Sequence, residues 1–181
     1  SEESGFSHLY SLNLETGKKK ALTSGNFEIY DPFLSNNKEF FYFTSNESDA
    51  GQHHFYKMSI KGGKREKLTT EAGNNEVSLS PDEKTMIIRQ SYANKPWELY
   101  LSKQIGENKW SPSQKITDSY TDEFKAYNWR TPDFITVPAS DGAKIPARIY
   151  RPEPDKKNGA AVVFVHGAGY LQNAHKWWSS Y

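Results

Sequence analysis

One phrase returns three times along this chain and limits what it can fold into. Leu9-Tyr10-Ser11-Leu12 is followed by a Glu15-Thr16-Gly17 turn and then Leu22-Thr23. Phe55-Tyr56-Lys57-Met58 is followed by Lys61-Gly62-Gly63 and Leu68-Thr69. Leu99-Tyr100-Leu101 is followed, after a longer loop, by Ile116-Thr117. The first phrase, Leu9 to Leu14, alternates apolar and polar residues, the period of a half-buried strand, and its turn sends the chain back as the outer strand of a hairpin. Tyr10 and Tyr56 are about 46 residues apart, and Tyr56 and Tyr100 about 44, the length of one four-stranded propeller blade.

The other half of the unit repeats as well. Asp31-Pro32-Phe33-Leu34-Ser35-Asn36-Asn37 precedes the strand Phe40–Ser45, and Glu76-Val77-Ser78-Leu79-Ser80-Pro81-Asp82 precedes the strand Thr85–Arg89. In the second copy Pro81 sets φ and Asp82 bonds nearby backbone, which makes a turn. A blade cannot bury both faces alone and must stack on neighbours. The chain holds two nearly whole repeats and the tail of a third, too few to close a ring. With Ser1 at its start and no initiator Met or signal peptide, it is expected to lie inside a longer gene product.

Composition narrows the classes. The 181 residues allow one or two domains. A net charge of +1 and a pI near 7.8 imply no nucleic-acid partner. No apolar run is long enough to span a membrane. The absence of Cys excludes disulfides and thiol chemistry without fixing a compartment. A mean hydropathy of −0.84 would suit disorder, but 14% aromatic residues in alternating patterns point to a soluble, sheet-rich protein with thin cores.

Several residues invite a functional reading and carry a plainer one. His53 and His54 are adjacent on a strand, so they face opposite sides and do not share a metal. Asn46-Glu47-Ser48 fits a glycosylation acceptor, meaningful only in a secretory eukaryotic host. Lys18–Lys20 reads as a solvated strand edge, and Trp97 and Trp110 as blade packing.

The pattern changes after Tyr127. Asn128–Asp133 is a seam, which divides residues 1–130 from residues 131–181. Phe134–Pro138 and Lys144–Tyr150 are strands joined by the tight turn Ala139-Ser140-Asp141-Gly142. A charged loop, Arg151–Gly159, leads to Ala160–Val165, an unbroken apolar run expected to be a buried strand. It ends in His166-Gly167-Ala168-Gly169, where small residues let the backbone turn and leave amides uncovered.

These features carry a resemblance. The blades resemble those of prolyl oligopeptidase and TolB-type propellers. His166–Gly169 resembles the oxyanion loop of α/β-hydrolases. Pro132-Asp133-Phe134-Ile135-Thr136-Val137-Pro138, with Ser140-Asp141-Gly142 after it, resembles the opening of the hydrolase domain in the prolyl oligopeptidase family of serine peptidases, closest to the dipeptidyl peptidase IV and acylaminoacyl-peptidase-like branch. The resemblance covers essentially the whole chain. It implies a mainly β fold: a partial β-propeller of four-stranded antiparallel blades, then the first strands of an α/β-hydrolase domain.

The resemblance also implies oxyanion donors among His166, Gly167, Ala168, Gly169 and Tyr170. In dipeptidyl peptidase IV-like members a Tyr stands where His166 aligns, so the imidazole, the glycine backbone and Tyr170 all remain candidates. His175 reads as a surface residue, and Trp177-Trp178 as either cleft-lining or core. No Gly-x-Ser-x-Gly elbow occurs in the chain, and a Ser-Asp-His triad is expected beyond Tyr181. The expectation is a fragment of a secreted or periplasmic serine exopeptidase acting on short peptides, its propeller gating access, with no cofactor or metal and no activity of its own. The rival is a non-enzymatic TolB-like propeller that binds protein or glycan, with residues 131–181 as an appended β segment.

Overall fold

The computed structural model describes residues 1–169 and 171–179. β1 (Tyr10–Leu12) and β2 (Lys19–Ala21) form an antiparallel hairpin. Next comes a four-stranded antiparallel sheet of β3 (Ile29–Leu34), β4 (Phe40–Ser45), β5 (His54–Ser59) and β6 (Arg65–Lys67), in sequence order. The next blade joins β7 (Asn74–Leu79), β8 (Thr85–Tyr92) and β9 (Lys95–Gly106). Its outer position is shared by two short strands, β10 (Lys109–Trp110) and β11 (Gln114–Lys115), both paired with β9. The extended β9 explains the longer loop of the third repeat.

The three tyrosines occupy equivalent places. Tyr10 pairs with Ala21, Tyr56 with Lys67 and Tyr100 with Lys115, each linking a blade's third strand to its fourth. The hydrogen bonds around them repeat too. Leu22, Leu68 and Ile116 donate their amides to the carbonyls of Leu9, Phe55 and Leu99, each at 2.8 Å. The hydroxyls of Thr23, Thr69 and Thr117 accept from the N–H of Leu9 (3.0 Å), Phe55 (3.0 Å) and Leu99 (2.9 Å). Each hydroxyl then donates to a buried side chain: His8 Nδ1 at 3.1 Å, His54 Nδ1 at 3.2 Å, and the Glu98 carboxylate.

The turns between first and second strands also match. Ser35 Oγ and Ser80 Oγ accept from the amides of Phe40 and Thr85, both at 3.0 Å. The same hydroxyls donate to Asn37 and Asp82, and Lys38 and Glu83 both take φ near 57°. Asn37 therefore does the work of Asp82 without the Ser-Pro-Asp spelling.

Period-two alternation gives the β3–β6 blade two apolar faces. Phe43, Tyr56 and Met58 pack with Phe27 and Ile29, and the hairpin's Leu9 and Leu22 close that core from one side. Tyr42 and Phe55 point the other way and pack with Leu68, Met86 and Ile88 of the next blade. Trp110 borders the second core, as its reading as blade packing anticipated. Junctions between repeats use the same bonds: Ile29 N–H to Ser7 C=O (2.9 Å) and Asn75 N–H to His53 C=O (3.1 Å). A parallel bridge between His53 and Asn74 ties the two full blades.

After Thr117 the repeat stops. In place of another first strand stands a short helix, α1 (Asp122–Ala126), capped by Thr121 Oγ accepting from Phe124 N–H at 3.1 Å. The sequence reading did not anticipate this helix, although Thr121-Asp122-Glu123 carries its capping signature. β12 (Asp133–Pro138) and β13 (Lys144–Ile149) then form a separate hairpin, turned by Ala139–Ala143 with Gly142 at φ 87°.

The expectation of a buried strand over Ala160–Val165 is corrected. No strand forms there, and Val162 and Val165 are 98% and 82% exposed. An interior strand takes its burial from neighbours on both edges and both faces. Among the described residues no strand pairs with this run, and β12 and β13 pair only with each other.

The threonine clamp yields a stability prediction. Thr69→Val keeps the shape but leaves Phe55 N–H without its partner and His54 Nδ1 with only Asn75 Nδ2 at 3.5 Å, and should cost about 1–3 kcal/mol. Thr69→Ser, which retains the hydroxyl, should cost distinctly less. Urea denaturation of the two variants beside the wild type checks the order.

Candidate functional site

The residues singled out as oxyanion candidates lie in an open loop. His166, Gly167, Ala168 and Gly169 are exposed, and nothing lies within 4 Å of where a Cβ would stand on Gly167 or Gly169. Among the described residues none accepts from the amides of Gly167, Ala168 or Gly169. Ala168 sits at φ 58°, and its carbonyl accepts from Leu171 N–H at 3.0 Å, so the backbone reverses here. Tyr170 lies outside the described residues.

His166 Nδ1 is 2.9 Å from the Gly167 carbonyl oxygen. A carbonyl only accepts, so Nδ1 carries the proton and donates it there. With Nδ1 so engaged, only Nε2 of the ring is left to face a ligand. In this arrangement the free donors of the loop are its backbone amides.

Downstream of the loop the chain returns to the blades. Gln172 Nε2 donates to Ala50 C=O at 2.9 Å, and Lys176 N–H to Gly51 C=O at 2.8 Å. The Lys176 ammonium pairs with Asp49, and Trp178 N–H donates to Ser91 Oγ at 3.2 Å. Trp177 stacks on His175 at 4.0 Å, nearly parallel, and meets His53 at 4.8 Å. His53 in turn meets Tyr30 at 4.8 Å. Trp178 stands edge-on to Trp129, ring centres 5.2 Å apart.

Two glycines permit this close approach. A Cβ on Gly73, at φ 110°, would lie 2.0 Å from Ser91 C=O and 3.2 Å from Lys176 C=O. One on Gly51 would lie 3.1 Å from Ala174 C=O.

Sequence reasoning and structure differ on the histidines. His175 is buried, at 5% exposure, against the expectation of a surface residue, because Trp177 covers it. His53 and His54 face opposite sides, as strand alternation requires, with His53 at the aromatic stack and His54 in the threonine clamp. Trp177 and Trp178 pack at the blade junction. The role of His54 went unread, although aligning the repeats puts His8, His54 and Glu98 in one column.

Burial sets the charges here. It pushes His54 and His175 each down to about 4, helped at His54 by Lys67 and at His175 by Arg148, and it also lowers His53. For Asp49, burial pushes up, but the bonds from Lys176 and from Gly51 N–H outweigh it and hold the carboxyl below its usual value. Glu98 is likewise lowered against its burial by bonds from Thr117 and Ser119. Among the described residues no three His, Asp or Glu side chains converge as a metal site, and no helix is long and apolar enough to cross a membrane.

Antiparallel four-stranded sheets, stacked face to face and joined by a repeated clamp, define a β-propeller. Residues 1–97 match the family model described as the dipeptidyl peptidase IV (DPP IV) N-terminal region, and the chain belongs to that family. It is 24% identical over 161 residues to the probable dipeptidyl-aminopeptidase B of Coccidioides posadasii strain C735, covering 84% of this chain and 17% of that protein. The protein of strain RMSCC 757 / Silveira matches with the same figures. The crystal structure of Porphyromonas gingivalis dipeptidyl peptidase 4 shares the fold, with a TM-score of 0.68 at 22% identity, over 84% of this chain and 21% of that one. The chain thus spans under a quarter of the length of each of these relatives.

The buried histidines predict a pH dependence. Their folded values lie below the ordinary 6.5, so the unfolded chain takes up protons first. Their stabilisation is full above about pH 6.5 and is lost as pH falls towards about 4, where the lowered carboxylates begin to lose theirs as well. Thermal melts across this window should show a falling Tm, and His54→Gln should flatten part of the slope. A Tm independent of pH in this range contradicts the neutral, buried assignment.

Proposed function

We propose that this chain is part of a serine exopeptidase that removes short units from peptides by acyl transfer. Residues 1–130 supply C-terminal blades of a β-propeller that gates access, and residues 131–181 open an α/β-hydrolase domain. The nucleophile, acid and histidine of the triad lie beyond Tyr181. The observation that carries this reading is the order of parts: dipeptidyl peptidase IV-type blades, then the β12–β13 hairpin, then a tight loop with uncovered amides. The probable activity named for the Coccidioides relatives supports it. Val162–Val165 have the composition of an interior strand, and a parallel hydrolase sheet is the setting that would bury them. The family resemblance favours a periplasmic or secreted location.

In the reaction, the acylating serine turns a peptide carbonyl into a tetrahedral oxyanion. The His166–Gly169 loop holds that charge. Because His166 Nδ1 is engaged by Gly167 C=O, the amides of Gly167 to Gly169 are the primary donors and His166 shapes their turn. Donors that bond the oxyanion better than the ground-state carbonyl act mainly on kcat. No cofactor or metal takes part.

Two measurements test this. At its natural full length the protein should hydrolyse chromogenic dipeptide substrates and take one covalent fluorophosphonate label. Residues 1–181 alone should do neither, because they contain no nucleophile elbow. A full-length protein that is folded yet refuses both label and substrate sinks the peptidase reading and leaves the binding propeller. In the active protein, His166→Ala should lower kcat by about tenfold with KM little changed. A loss on the order of a hundred- to a thousand-fold would instead make the imidazole itself a donor.

A further inference from the structure

We propose that Gln172–Trp178 is an anchor that sets the position of the His166–Gly169 loop from the propeller, with Asp49 as its positioning residue. The proposal rests on the reading of that loop as an oxyanion site.

The contacts that tie this stretch to the blades lie on the loop's C-terminal side. Upstream, every described residue from Tyr150 to Gly169 is exposed. The first buried residue after the loop is His175, and it is buried at the propeller. This attachment to the blades begins a few residues past the loop.

The hold there is specific. The β4–β5 connection presents three consecutive residues to the returning chain: Asp49 to the Lys176 ammonium, Ala50 C=O to Gln172 and Gly51 C=O to the Lys176 amide. Asp49 is itself oriented, since its Oδ1 accepts from Gly51 N–H at 2.8 Å. Both partners of the ion pair are largely shielded, with side chains 30% and 22% exposed, so water screens them less than a surface pair. Trp177 is held between His53 and His175. The Lys176 ammonium also lies 5.2 Å from the Phe134 ring centre, so the same residue touches the β12–β13 hairpin.

Lys176 thus joins a propeller loop, the hairpin and the segment carrying the uncovered amides. A misplacement of about 1 Å in such donors can cost on the order of a hundredfold in rate. Asp49, which touches no substrate, is expected to act on kcat through Lys176.

The test uses the protein at its natural full length. Asp49→Asn and Lys176→Met should each lower kcat about tenfold, with KM changed less than twofold. The charge swap Asp49→Lys with Lys176→Asp should recover most of the loss. Glu76→Gln, which breaks the exposed Arg89–Glu76 pair elsewhere on the blade, should leave kcat unchanged. The second readout does not need activity. Trypsin should cut after Lys176 much more slowly than after the exposed Lys157 in the wild type, and the Asp49→Asn change should abolish that protection. Wild-type cleavage at Lys176 as fast as at Lys157 overturns the anchor. Faster cleavage in Asp49→Asn with unchanged kcat overturns the positioning role. A wild type with no peptidase activity but protected Lys176 fails the oxyanion reading and keeps the anchor.

Discussion

A single threonine hydroxyl closes each repeat. Thr23, Thr69 and Thr117 accept from the strand they return to and donate inward to His8, His54 or Glu98. The hydroxyl is both acceptor and donor at a point where the fourth strand has just ended. Without it a strand amide would be left unsatisfied beside the core, at a cost comparable to a lost hydrogen bond. The clamp fixes the register of the outer strand, and register decides which aromatic residues face which neighbour. Tyr42 and Phe55 reach one core while Phe43 and Tyr56 reach the other, so one slipped residue would exchange the two faces.

The same interaction shapes the place where the chain returns. With its Nδ1 occupied by Thr69, His54 leaves its neighbour His53 on the opposite side of the strand, where Tyr30 and Trp177 receive it. His53 also bridges to Asn74 of the next blade through its backbone. Blade closure, blade-to-blade junction and the seat of Gln172–Trp178 therefore meet within two residues. The glycines at 51 and 73 follow from this crowding, because a side chain at either would meet the carbonyl of a returning segment.

Much of this was legible because it is local. Phe40–Ser45 is an aromatic and hydroxyl run after a turn, and the strand matches it residue for residue; the three tyrosines fall on matching strands because the repeat encodes a repeated hairpin. What escaped depends on contacts distant in sequence. A histidine such as His54 looks the same whether it binds metal, faces water or caps a threonine fifteen residues on. His175 looked like a surface residue because nothing local reveals that Trp177 covers it. Ala160–Val165 has the composition of a buried strand, but burial is supplied by neighbours, and no strand among the described residues is laid beside it. The loop at His166–Gly169 was recognised by its spelling; the reason its imidazole is not the readiest donor lies in one hydrogen bond to Gly167.

Amide hydrogen exchange resolved to single residues tests the clamp most directly. Phe55 and Leu99 donate to threonine hydroxyls beside the buried side chains of His54 and Glu98, and their amides should exchange among the slowest in the chain. Leu9, in the two-stranded hairpin, should be slower than the turn residues around it. The amides of Val162 and Val163 should exchange rapidly. Exchange at Phe55 and Leu99 as fast as at the turn residue Gly63 would contradict the account, because the hydroxyl could not then be what closes the blade.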